Sequence, residues 1–206
     1  MKKNNLKILF LILLFNIFIF INIKNYVYAI SNKLENNIFR LHIVANSNSQ
    51  KDQELKLKIR DEIIKYIETI ENNSKSQVIS NISNNLNVIK NIAQKTILEN
   101  GFNYDVTVEI GKFYFPTKYY GNISLPAGDY DAIQIKIGNA NGENWWCSLF
   151  PPLCFTDISS GIINEQSEKD LKNNLNNEEF LLITSSSPKY KFKFKLIELL
   201  NHKKIL

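Results

Sequence analysis

Leu98-Glu99-Asn100-Gly101-Phe102-Asn103-Tyr104-Asp105-Val106-Thr107-Val108-Glu109-Ile110 is where the chain changes its period, and with it the structure it can form. Before Gly101, apolar residues recur every three or four positions. After it, Tyr104, Val106, Val108 and Ile110 alternate with Asp105, Thr107 and Glu109. The first spacing lays an apolar stripe along a helix, and the second lays an apolar face on a strand. Glycine suits the left-handed residue that ends a helix, so Gly101 marks the boundary. Helices followed by a run of strands predict an α+β fold.

Towards the N-terminus, Val78, Ile82, Leu86, Ile89, Ala93 and Ile97 predict a helix over Ser76–Glu99. Leu55, Ile59, Ile63, Tyr66, Ile67 and Ile70 predict another, opened by Ser49 and Asp52 at capping-box spacing. Asp52–Lys56 and Asp61–Lys65 place acid before base, four apart, on its predicted wet side. Asn72-Asn73-Ser74 is so short a link that the two helices should lie antiparallel. Phe39-Arg40-Leu41-His42-Ile43-Val44 alternates like a half-buried strand and ends in the turn formers Asn46-Ser47-Asn48-Ser49.

Towards the C-terminus, Lys112–Phe115 reads as a second run pairing with the first, and Leu125-Pro126-Ala127-Gly128 as a turn. Ile133, Ile135 and Ile137 mark a strand, Gly138–Gly142 a loop, and Trp145–Phe150 a strand ending at Pro151-Pro152. A polar, helical piece spans about Glu165–Asn176. The tail from Tyr190 to Leu200 reads as strand, then helix. The expectation is one α+β domain: an antiparallel or mixed sheet covered by an N-terminal helical hairpin.

The first 29 residues read as an export signal. Lys2, Lys3 and Lys7 form a positive start with no acidic residue, Ile8–Ile23 is apolar apart from Asn16 and Asn22, and Val27-Tyr28-Ala29 precedes Ile30 as a cleavage site. The run Leu6–Ile23 is also long enough to cross a bilayer as an uncleaved anchor. The expected domain is therefore residues 30–206. The whole chain holds 25 basic and 20 acidic groups. Lys2, Lys3, Lys7 and Lys24 belong to the signal and its flank, so the rest is nearly neutral. Nucleic-acid binding needs a basic surplus on one face, and none is expected.

No metal-ligand spacing, GxSxG, phosphate-binding glycine loop or SxxK occurs, so neither cofactor nor metal is expected. One enzyme reading, an exported cell-wall cysteine hydrolase or transpeptidase, has Cys147 as nucleophile, His42 as base, and Asn46 or Asp157 orienting it. Cys147 and Cys154 are the only cysteines, with six residues between them. Outside the cytoplasm they could equally form a disulfide. Gly142–Phe155 gathers two Trp, two Phe, two Pro and both Cys. Strand alternation buries one tryptophan and puts its neighbour on the opposite face, either as plain core or as an anchor for a protein partner.

Three segments carry a resemblance: Arg40-Leu41-His42-Ile43-Val44-Ala45-Asn46-Ser47 running into Asp52–Asp61; Leu125-Pro126-Ala127-Gly128-Asp129-Tyr130; and Gly142-Glu143-Asn144-Trp145-Trp146-Cys147 through Pro151-Pro152-Leu153-Cys154. In this order the chain resembles the stage II sporulation protein R family of endospore-forming bacteria, over roughly residues 38–160. The resemblance implies a protein exported from the forespore into the space facing the mother cell. There it would trigger a membrane-embedded aspartic protease that processes the precursor of sigma-E. It implies a signal and not an enzyme, with no catalytic residues to carry over. Arg40, His42, Asn46, Trp145, Trp146, Pro151 and Pro152 are then candidate partner contacts, Arg40, His42 and Asn46 sharing one parity along their strand.

Overall fold

The computed structural model describes residues 2–70, 73–154 and 165–185. Asp157 and the Tyr190–Leu200 segment lie outside them. The elements run α1 (Lys2–Asn37), β1 (Phe39–Val44), α2 (Gln50–Glu68), α3 (Lys75–Asn84), α4 (Leu86–Glu99), β2 (Val106–Phe115), β3 (Lys118–Tyr120), β4 (Ile123–Leu125), β5 (Gly128–Ile137), β6 (Asn144–Phe150), α5 (Glu165–Asn174) and α6 (Asn177–Ser185). This is an α+β arrangement around a mixed sheet of order β2-β5-β1-β6. β1 pairs parallel with β5, and β1–β6 and β2–β5 pair antiparallel. The β3–β4 hairpin stands apart as a small second sheet.

Helix α1 is continuous. Over Lys7–Asn37 it is long and apolar enough to cross a membrane, by length and composition, with an 18-residue window of mean hydropathy 2.2. Asn16 and Asn22 do not break it, because each amide donates to the carbonyl four residues back, at 2.7 Å. The last turns belong to the core: Ile30, Leu34 and the following Ile38 are buried. Lys75 stops the helix chemically. Its ammonium donates to the carbonyls of Glu35 and Asn36 and pairs with Asp131 at 2.6 Å, placing positive charge where a helix end is negative.

One face of the sheet carries Leu41, Ile43, Ile133, Ile135 and Cys147. These meet Leu55, Ile59, Ile63 and Ile67 of α2 and Ile89, Ala93 and Ile97 of α4, all buried. Ser49 caps α2 by accepting the Asp52 amide at 3.2 Å, as its spacing predicts. The expected second helix is in fact two. Asn85 turns its amide back onto Asn81 O (2.8 Å), and its backbone leaves helical geometry. The break lets α3 lie on β1 and β6 while α4 lies on β2 and α2. Gly101 takes φ +80° at the end of α4.

Three other expectations change. Lys112–Phe115 is not a partner of the preceding strand but its continuation, and the whole of β2 pairs with β5. Asp52 and Lys56 are buried, not on the wet side, and Asp61 pairs with Arg60 at 2.6 Å. β1 is buried along its entire length. An alternating sequence predicts one wet face, but β1 is an inner strand and its second face is covered too.

Candidate functional site

That second face is built from Arg40 and His42 of β1, Phe115 of β2, Tyr130 and Gln134 of β5, and Trp146 of β6. Register fixes this: Arg40 lies opposite Ala132 and Ser148, and His42 opposite Gln134 and Trp146. The β3–β4 hairpin folds over it. Lys118 and Tyr120 share a parity, and both contact this face while Tyr119 remains exposed.

Arg40 is wholly buried. Its Nη2 donates to the Tyr120 hydroxyl at 2.8 Å and its Nε to Cys147 O at 3.3 Å. Tyr120 passes the bond on, donating to Trp146 O at 3.1 Å. The guanidinium carbon sits 4.2 Å from the Phe115 ring centroid and 5.0 Å from that of Tyr130, an arrangement in which the ring faces stabilise the cation. Nη1 is buried without a hydrogen-bond partner. Among the described residues no carboxylate pairs with Arg40 or with Lys118. Burial raises the Tyr120 hydroxyl, partly offset by the Arg40 charge. Burial and then Arg40 lower the Lys118 ammonium.

His42 is sandwiched rather than poised. Its ring stacks on Trp146 and meets the edge of Phe115 at 5.9 Å. Gln134 Nε2 lies 2.6 Å from Nδ1 and Asn144 Oδ1 lies 2.6 Å from Nε2. An amide nitrogen can only donate, so Nδ1 accepts and Nε2 carries the proton. Burial pushes the imidazole down to about 4, against the pull of the Asn144 bond.

Asn46 does not join this face, because β1 ends two residues earlier. Its Nδ2 donates to Asp52 Oδ2 at 2.9 Å and its Oδ1 accepts the Asn139 amide at 2.9 Å, tying the β1–α2 turn to the β5–β6 loop. Burial would raise the Asp52 carboxyl, but hydrogen bonds from Ser47, Asn46, Tyr104 and Ser49 hold it lower than usual. Trp145 is on the helical face, half-buried, with the Arg60 guanidinium 4.2 Å over its ring. Both tryptophans are thus half-buried, on opposite faces. Pro151 is buried and Pro152 half-buried. They shape the turn that returns Cys154 to Cys147, where the two form a disulfide with Cα atoms 5.3 Å apart.

The proposed Cys147–His42 pair is therefore not assembled. Cys147 is bonded to Cys154, and it lies beside Leu41, so it points to the opposite face from His42. Among the described residues, no three of His, Cys, Asp or Glu converge as metal ligands would. Sequence reasoning missed Phe115, Lys118, Tyr120 and Tyr130. The available signal was Lys118-Tyr119-Tyr120-Gly121, an alternating triplet before a turn glycine of φ +58°.

Residues 35–160 match the family model described as stage II sporulation protein R. The chain is similar to the stage II sporulation protein R of Bacillus subtilis (strain 168), at 46% identity over 136 residues. That match covers 64% of this chain and 60% of that relative. No solved structure matches. Every residue of the face just described lies inside the matched span.

Proposed function

The chain belongs to the stage II sporulation protein R family, and from that premise we propose that it is an exported signal of sporulation and not an enzyme. It is made in the forespore, crosses the forespore membrane through α1, and meets a membrane-embedded aspartic protease of the mother cell. That protease then cleaves the precursor of sigma-E. The observation that carries the reading is the junction at Ile30–Ile38. An apolar helix compatible with a signal sequence or anchor leads without a break into the domain that matches the family. A messenger needs both parts in one chain. Physically, it can switch the protease only by binding the active state better than the inactive one.

The test is complementation. In a spore-forming strain lacking its own relative, expression of this chain in the forespore should restore sigma-E precursor processing in the mother cell. Deleting residues 1–29 should abolish it while protein accumulates in the forespore. Undiminished processing without those residues would contradict export as the route.

A further inference from the structure

We infer that Lys118 and Trp146 form a docking site for a carboxylate of a protein partner, an Asp or Glu side chain, with Arg40 as a buried charge behind it. This rests on the reading above, that the chain acts through contact with another protein. The charge balance points to it. Lys136, on the same face, is matched by Glu109 at 2.7 Å. Lys118 and Arg40 have no such match among the described residues, although Arg40 is wholly buried and Lys118 half-buried. An uncompensated cation in a low-dielectric setting is costly, and Arg40 keeps its charge at any physiological pH. Its Nη1 is buried without a hydrogen-bond partner.

The geometry adds a rigid apolar anchor. Lys118 Nζ stands 5.8 Å from the Trp146 ring centroid. Phe115 joins the two cations' surroundings, 4.7 Å from Trp146 and 4.2 Å from the Arg40 guanidinium. His42 stacks flat on the indole. A half-exposed tryptophan held by His42 and Phe115 beside an unmatched ammonium suits an acidic side chain flanked by an apolar one. A phosphate or lipid headgroup would use the charge but not the indole.

The direct test titrates the full chain in detergent with N-acetyl-tetraglutamate amide, following Trp146 emission in a Trp145→Phe background. Lys118→Glu should weaken binding about tenfold or more, while the surface control Lys90→Glu binds as wild type. Binding unchanged by Lys118→Glu overturns the proposal. So does inorganic phosphate, or phosphatidylglycerol vesicles, competing as well as the peptide. In cells making the protease and the precursor, Lys118→Glu should cut processing with its melting temperature unchanged. Replacing the matching protease carboxylate by Lys should restore it. If the wild-type chain binds the peptide through Lys118 but starts no processing, the signalling reading fails and the docking site stands.

Discussion

The imidazole of His42 lies flat on the indole of Trp146, ring centroids 3.7 Å apart and planes 12° from parallel. The two residues are register partners across β1 and β6. Both imidazole nitrogens are engaged, one accepting from Gln134 and the other donating to Asn144. A general base needs a free lone pair facing its substrate, and His42 has none. Its role is to hold the indole still.

The neutral imidazole makes stability pH-dependent. Folded His42 titrates near 4 and the unfolded side chain near 6.5. Between those values the unfolded chain binds a proton that the folded one refuses. Stability therefore falls as pH drops from about 6.5 to about 4, by on the order of 3 kcal/mol. Asp52, held low, adds its loss at more acidic pH, and Glu35, raised by burial, works in the opposite sense. Comparing urea unfolding of wild type and His42→Gln isolates the histidine: their difference should shrink through that window.

Arg40→Met should show that the buried charge serves function more than stability. A methionine fills much of the slot between Phe115 and Tyr130, and replacing an unmatched buried ion with an apolar side chain is commonly neutral or stabilising, by about 1 kcal/mol or more. The melting temperature should hold or rise while precursor processing falls. Arg40→Ala should instead cost about 3 kcal/mol, because it leaves a cavity.

The loop that ends β5 tolerates no side chain at Gly142. An added Cβ would sit 2.3 Å from the Ser47 carbonyl oxygen, a backbone atom that cannot move aside alone. Gly142→Ala should cost about 2 kcal/mol or more by thermal melting. Gly101→Ala, which meets nothing within 4 Å but needs φ +80°, should cost only about 1 kcal/mol.

Replacing both cysteines by serine should lower stability by about 2.5 kcal/mol, the loop-closure value for so short a span. Processing should survive wherever the protein is made in normal amount. A complete loss from a normally folded double variant would revive Cys147 as a reacting group.

The helical hairpin and the α+β class are legible in the sequence because they follow from local period: Leu55, Ile59 and Ile63 need no distant partner to be recognised. The break at Asn85 is less so, since Ile82, Leu86 and Ile89 keep helical spacing across it. β1 misleads for a different reason. Arg40 and His42 look like the wet side of a strand. Only the hairpin carrying Lys118 and Tyr120, some 80 positions later, turns that side into an interior. Polar residues buried by non-local contacts leave no periodic trace. The parallel β1–β5 pairing is hidden likewise, because its two strands are separated by three helices and three strands.

If this chain is the signal, then once exported it is enough to start proteolysis. The most direct measurement places the protease, the sigma-E precursor and this chain in a bacterium that forms no spores, and follows precursor cleavage by immunoblot. Cleavage is expected only when the chain is present and carries residues 1–29. Cleavage that proceeds equally without the chain, or none with all three proteins stably made, would contradict it.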